Sequence, residues 1–320
     1  MELTIFKHEL SIVVVSWNAK KYVEECLTSL HNQNLSVPIE IIVVDNASTD
    51  GTPEMVQKKF FDVTLIRNNK NLGFAKANNI GMRVANGKYY CLINSDVNVP
   101  TECLQTMYEY MEQHPDVGVS GPSMLAVDGH IARSCMRFPT IWNSMCNSLS
   151  LNRMFKGISI FGSFLMNDFD WTKTSEVDVL NGWFLVVRRE AADVVGLLDE
   201  DFFMYGEDID WSYRFYKAGW KRIYFAGVSA LHYGGASSKV ASTKFYIEMH
   251  KANLQYWRKH HSSLGVFGYW LTILFHHLIR VSAYSLLYLS RRKEVAAISF
   301  KAKRSASCIA WLVGLRSEWS

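Results

Sequence analysis

Along the first 240 residues, short apolar runs alternate with stretches of helical spacing. Ile12–Ser16 and Ile39–Val44 are β-branched with almost no polar interruption. Strands covered on both faces carry that pattern, as in parallel sheets. Between them, Lys20–Asn32 puts Tyr22, Val23, Cys26, Leu27 and Leu30 on one side of a helix. Together these segments predict a β-α-β unit with a right-handed crossover. Val63–Ile66 and Tyr89–Ile93 predict further strands, with a helix over Leu72–Asn86 between them. Pro100–His114 predicts another helix, with Thr101 as its N-cap. Gly121–Lys173 is less regular and reads as loops and short elements over the sheet. Order returns with strands at Val177–Leu180 and Trp183–Val187 and a helix at Arg189–Val195. A helix at Asp208–Ala218 is stopped by Gly219. Arg222–Phe225 and Val228–His232 are strand-like. The pattern is that of an α/β protein with a mostly parallel central sheet flanked by helices.

After Gly234-Gly235-Ala236-Ser237-Ser238 the pattern changes. Thr243–His261 is an aromatic, basic helix, and Leu264–Leu289 is strongly apolar. Charge changes at the same place. From Lys239 to Ser320 there are 13 Lys and Arg against 3 Asp and Glu, a net +10. The preceding 238 residues hold 21 basic and 27 acidic groups, a net −6. A basic tail rich in Leu, Ile, Phe and Trp fits an anionic membrane surface better than nucleic acid. Leu264–Leu289 is long enough to span a bilayer, but His276, His277 and Arg280 lie in its middle. Arg258-Lys259 and Arg291-Arg292-Lys293 flank both ends, which favours both on the cytoplasmic side. His277, Arg280 and Tyr284 form a narrow polar stripe at helical spacing. Peripheral helices lying in the interface, or a shallow re-entrant pair, are therefore expected, with a single span as the main rival and an ordinary C-terminal helical pack on the catalytic domain as the other. The six cysteines show no C-x-x-C spacing, so reduced thiols are expected rather than a zinc or disulfide framework. Met1–Leu10 carries charges and no small-residue cleavage site, so Ser11–Val15 reads as a buried strand rather than a signal core.

The candidate chemistry sits where strands end. Phe202–Trp211 places Glu207, Asp208 and Asp210 within four residues, beside aromatic neighbours. Ionising all three together is unfavourable, so at least one is expected to keep a raised pKa and to suit a general base. Asn94-Ser95-Asp96 follows an apolar run, and a carboxylate there can hold Mg²⁺ or Mn²⁺ against a diphosphate. Asp45 ends a strand in the polar turn Asp45–Gly51, where it either meets a nucleobase or ribose or caps the next helix. Asn71-Leu72-Gly73-Phe74 enters a helix whose free N–H groups attract phosphate, although Asn71 as a plain cap accounts for the same residues. His232, beside Gly234-Gly235, stands where a third ligand for a metal or diphosphate is needed. Trp183 and Trp211 can stack on a sugar ring, and core packing explains Trp183 equally well.

Taken in order, these segments resemble the family 2 glycosyltransferases of GT-A fold, over roughly residues 9 to 240. The resemblance is carried by Val14-Val15-Ser16-Trp17-Asn18, Val44–Gly51, Asn71–Ala75 with Ala77-Asn78-Asn79, Asn94-Ser95-Asp96, Gly182–Arg189, Gly206–Trp211 and His232–Gly235. The Gly-Phe-Ala and Asn-Asn version is most similar to bacterial rhamnosyltransferases of O-antigen and cell-wall assembly. The resemblance implies an inverting transferase that moves L-rhamnose from dTDP-L-rhamnose to a polyprenyl-diphosphate-linked saccharide at the cytoplasmic face of the inner membrane. It implies a GT-A catalytic domain over 1–240, with a nucleotide-binding half at about 9–100 and an acceptor half at about 101–240. Residues 241–320 then form a membrane-associating helical extension. Asp208 is the implied base, with Glu207 as the fallback. Ser16, Asn18, Asp45, Asn71, Gly73, Phe74, Asn78, Asn94, Ser95 and Asp96 are implied to bind the nucleotide sugar. Asp96 and His232 are implied metal ligands, with Asn94 where the family's motif has its first acid, and Trp183 and Trp211 are implied acceptor contacts. A UDP- or GDP-sugar donor on the same fold, or a catalytically silent nucleotide-sugar-binding scaffold, are the alternatives.

Overall fold

The apolar runs become strands of one mixed sheet. In the computed structural model, which describes residues 6–155, 158–234, 243–290 and 295–315, the elements follow in chain order. They begin β1 (His8–Ser16), α1 (Lys20–His31), β2 (Ile39–Asp45), α2 (Thr52–Lys59), β3 (Thr64–Arg67), α3 (Phe74–Val84) and β4 (Gly87–Asn94). Next come β5 (Val97–Asn98), α4 (Cys103–Gln113), β6 (Val117–Leu125), β7 (Ile131–Ala132) and β8 (Cys135–Met136). Short helices α5 (Ile141–Ser148), α6 (Leu151–Met154) and α7 (Ser159–Gly162) follow. The chain then forms β9 (Ser175–Glu176), β10 (Val179–Leu180), β11 (Phe184–Arg188), α8 (Arg189–Val195), α9 (Glu207–Lys217) and β12 (Lys221–His232). It closes with α10 (Thr243–His260), α11 (Ser263–Ser290) and α12 (Val295–Leu312). Gly235, Ala236–Ser238 and Arg291–Lys293 lie outside the described residues.

Residues 6–138 and 169–234 form one compact unit. Its sheet runs β3-β2-β1-β4-β11-β6-β12-β5. β1 pairs parallel with β2 and β4, β2 with β3, and β6 with β12, while β11 is antiparallel to both its neighbours. The buried stretches Leu10–Val14 of β1 and Ile41–Asp45 of β2 explain the unbroken apolar runs. Helix α3 lies close on β1 and β2, because a Cβ on Gly81 would come within 2.4 Å of Val13 Cγ1. Buried Arg188, at the end of β11, ties that strand to the end of α4. It donates to the carbonyls of Val117 (2.9 Å), Met111 (2.6 Å) and His114 (3.0 Å) and to the Tyr89 hydroxyl (3.0 Å).

Three details differ from the pattern reading. β6 is a central strand that its residues Gly118, Gly121 and Pro122 disguise. Arg222–Phe225 and Val228–His232 belong to one strand, β12, whose register on β6 shifts between Phe225 and Ser229. Helix α4 starts at Cys103 with Glu102 as its cap residue and no side-chain cap bond, so Thr101 does not cap it. All six cysteines are free and buried.

Residues 139–155 and 158–168, which the pattern reads as loops and short elements, group with the described residues from 243 onward in a second compact unit. Thr140 starts α5 with a reciprocal capping box to Asn143. α11 packs on α10, α12 and α5. Its polar stripe turns inward: His277 is buried, and Arg280 and Tyr284 are half-buried. Its apolar side chains face out, among them Leu264, Phe267, Phe275, Leu278, Ile279 and Leu286. Ser263–Tyr288 is long and apolar enough to cross a membrane.

Candidate active site

The carboxyl ends of β1 and β2 are cross-linked into one rim. The Ser16 hydroxyl donates to Asp45 Oδ1 (2.9 Å), and the Ser48 N–H donates to Asp45 Oδ2 (2.9 Å). Asn18 takes a left-handed backbone at φ 48°, donates its N–H to Ser48 Oγ (2.9 Å) and accepts the Thr49 N–H (2.8 Å). The cap residue of helix α2 is Gly51, and Asp50 accepts the N–H of Thr52, the first helical residue (3.0 Å), so Asp45 is not its cap. Asp45 is buried and fixed by two donors, with lone pairs left over.

The next turn is braced locally. Asn71 Oδ1 accepts the Gly73 N–H (2.9 Å), and the Asn78 amide donates back to the Phe74 carbonyl (3.0 Å). Gly73, at φ 84°, lets the loop before α9 come against the start of α3. A Cβ there would stand 2.3 Å from the Phe203 carbonyl oxygen, which accepts the Phe74 N–H at 2.9 Å. The turn at Asn71–Phe74 and the loop that carries the acidic cluster are thus one structure.

Within that cluster the three carboxylates have three environments. Asp210 is fully buried and paired with Arg214 (2.8 Å), so it has a structural partner. Glu207 is buried, and its Oε2 has no hydrogen-bond partner among the described residues. Asp208 is half-buried, and both its oxygens accept main-chain N–H groups, Ile209 at 2.8 Å and Gly182 at 3.3 Å. Gly182 leads into Trp183, whose carbonyl accepts the Asn94 N–H (2.9 Å). Two residues beyond Asn94, Asp96 Oδ1 lies 3.1 Å from His232 Nε2, and His232 stacks on the Trp183 ring at 5.5 Å. A continuous run of contacts therefore links Asp208, Gly182, Trp183, His232 and Asp96 at one end of the sheet. Asp96 and His232 offer a carboxylate and an imidazole close enough to share one ion.

Residues 11–166 match the glycosyl transferase family 2 model. The chain is a family 2 glycosyltransferase. It is 26% identical over 282 residues to the N-acetylglucosaminyl-diphospho-decaprenol L-rhamnosyltransferase of Mycobacterium tuberculosis, covering 82% of this chain and 86% of that one. It is 34% identical over 113 residues to an abequosyltransferase of Salmonella typhimurium, covering 34% of each. Among solved structures it resembles residues 1–349 of Staphylococcus aureus TarS with UDP-GlcNAc. The TM-score is 0.54 at 16% identity, covering 98% of this chain and 94% of that one. It also resembles a mannosyltransferase of Pyrobaculum calidifontis with GDP-mannose and Mn²⁺. That TM-score is 0.50 at 18% identity, covering 98% and 77%. At such identities the likeness speaks for the fold, which is GT-A.

In this glycosyltransferase, burial pushes the Glu207 carboxyl up to about 8, and the charge of Asp208 adds to the effect. Burial also raises Asp208, while the N–H groups of Ile209 and Gly182 work against that rise. The α9 N-terminus favours anions, and here desolvation outweighs it. Trp211 is 1% exposed, with its indole N–H given to the Gly196 carbonyl (2.8 Å), and Trp183 is 4% exposed under His232. Neither ring has a face open to an acceptor, which corrects the expectation that both stack on a sugar. Core indoles and sugar-stacking indoles read alike in a sequence. Exposed aromatics of this unit are instead Trp17, Phe61, Phe203 and Tyr216. The reading also missed Asn46, Asn79 and Gly182 as supports. Asn46 donates to the Gly73 carbonyl (3.2 Å), and Asn79 brackets Leu198 through both its amide atoms. Their only signal was a side-chain amide or a glycine next to a residue already singled out.

Proposed function

We propose that this glycosyltransferase moves L-rhamnose from dTDP-L-rhamnose onto a polyprenyl-diphosphate-linked saccharide of GlcNAc type, with inversion, in polysaccharide assembly such as that of O-antigen. The observation that carries the reading is the similarity to the mycobacterial L-rhamnosyltransferase, which runs through 82% of the chain. Asp208 accepts the acceptor hydroxyl proton as that oxygen forms its bond to the anomeric carbon. The bond from that carbon to the nucleoside diphosphate breaks on the opposite side. Asp208 suits this because it is partly open while its neighbour is not. Glu207 keeps its proton near neutral pH, so of these two adjacent carboxyls only Asp208 adds charge at the start of α9, where Asp210 is already matched by Arg214. Asp45, Ser16 and Asn18 form the rim proposed to take the nucleoside, and the start of α3 at Gly73-Phe74, with Asn71 and Asn78 bracing it, is proposed to face the diphosphate. Asn94, Ser95 and Asp96 complete that side. Asp96 and His232 would hold Mg²⁺ or Mn²⁺, which when bound neutralises the leaving diphosphate.

The outward apolar face of α11 supports an enzyme resting on the cytoplasmic face of the inner membrane, next to a lipid-linked acceptor. Every residue proposed for chemistry lies in the first unit. Mass spectrometry of products from dTDP-L-rhamnose, UDP-GlcNAc or GDP-mannose with a polyprenyl-diphosphate GlcNAc acceptor tests the proposal. Product from dTDP-L-rhamnose alone is expected. Product from a UDP- or GDP-sugar instead reassigns the donor, and nucleotide binding with neither transfer nor hydrolysis makes the chain a silent binder.

A further inference from the structure

The second unit contains three metal-ligating side chains that sugar transfer does not use. His250 comes from α10, His277 from α11 and Cys308 from α12. All three are buried, and one ligand atom from each lies within 4.8 Å of the other two. The two imidazoles meet edge to face, with Nε2 to Nε2 at 2.9 Å. The Nδ1 atom of each ring has no hydrogen-bond partner among the described residues. Four ring nitrogens thus share one hydrogen bond in a buried place, which is a poor arrangement for imidazoles alone. His276, next in the chain, is differently engaged, with its Nδ1 3.2 Å from the Ser148 carbonyl.

We propose that His250, His277 and Cys308 bind a zinc ion that fastens α10, α11 and α12 together. Two neutral imidazoles and a thiolate suit a borderline-soft ion and not the hard Mg²⁺. The three ligands leave a fourth position for water. Binding replaces the Cys308 thiol proton with the metal, and the proton leaves to solvent, with no change of oxidation state. Burial lowers the basicity of His250 to about 3, so this ring is neutral and ready to ligate. Burial holds the Cys308 thiol up at about 11, and the Arg304 charge acts the other way, toward the thiolate. One ion bridging three helices would shift their stability far more than their chemistry.

The full-length chain, purified without chelator and reconstituted with zinc, is the material for the test. Elemental analysis is expected to find about one tightly held zinc per chain. Cobalt in its place is expected to show a thiolate-to-cobalt charge-transfer band. Chelation of the unmutated chain is expected to lower its melting temperature, and restored zinc to raise it again, which needs no variant to fold. Cys308→Ser is expected to lose the band and at least tenfold in zinc affinity, while Asp96→Asn retains both. The proposal is overturned if the unmutated chain holds no zinc, if Cys308→Ser binds zinc and cobalt unchanged, or if Asp96→Asn is the variant that loses the ion. None of these readouts depends on sugar transfer.

Discussion

At the scale of single residues, the acidic cluster shows how three like side chains take different roles. Asp210 is matched by Arg214, Glu207 is buried with its Oε2 unpartnered among the described residues, and Asp208 is half open on two N–H groups. Asp208→Asn is expected to cut turnover by about 10²–10⁴-fold while nucleotide affinity stays near normal, measured by steady-state kinetics and calorimetry. Glu207 carries a consequence for stability. Its folded pKa of about 8 lies above the usual value of 4.5, so the folded chain binds the extra proton between those limits. Stability should therefore be fully supported below about 4.5 and fall as pH rises toward 8. Glu207→Gln is expected to flatten that fall, as read by denaturant unfolding across the same range. The crowding of the three acids was legible in the sequence, because spacing alone fixes it. That Asp210 meets Arg214 follows from their i,i+4 spacing on one helix, whereas which of Glu207 and Asp208 stays partly open was not legible, since that depends on what packs against the start of α9.

At the scale of elements, two contacts connect parts of the chain far apart in sequence. Gly73→Ala should push its Cβ into the Phe203 carbonyl and strain a left-handed turn. The expected cost is about 1–3 kcal/mol in urea unfolding, with turnover lowered more than the stability loss explains. Arg188→Met should strand two buried carbonyls and a partly buried one and cost about 3 kcal/mol by the same measurement. The parallel strands were legible because β1 and β2 are apolar on both faces, and that needs no tertiary knowledge. β6 was not, because Gly118 lies under the Trp220 side chain and Pro122 sits within a paired strand, so partners rather than propensity make it a strand. α12 was missed because its lysines, serines and alanines carry no clear apolar stripe.

At the scale of the whole molecule, the residues proposed for chemistry and the outward apolar side chains of α11 belong to different units. The first unit holds every residue proposed for transfer, and the second has outward Leu264, Phe267 and Phe275 on a helix whose histidines point in. Replacing Phe267 and Phe275 with Asp is expected to weaken binding to vesicles of anionic lipid by at least tenfold in a sedimentation assay. Resistance of the unmutated chain to alkaline carbonate would show instead that α11 spans. The basic tail was legible as a charge asymmetry. That residues 139–168 belong with it was not, because long-range packing of α5 on α11 leaves no local trace.

The way Asp208 is held bears on how such an enzyme can diversify. Both of its anchoring donors belong to the peptide backbone, at positions 182 and 209. Genetic drift exchanges side chains but cannot delete an amide hydrogen, short of introducing proline. The side chains around it are thereby free to vary from lineage to lineage, while the carboxylate proposed to accept the proton stays in place.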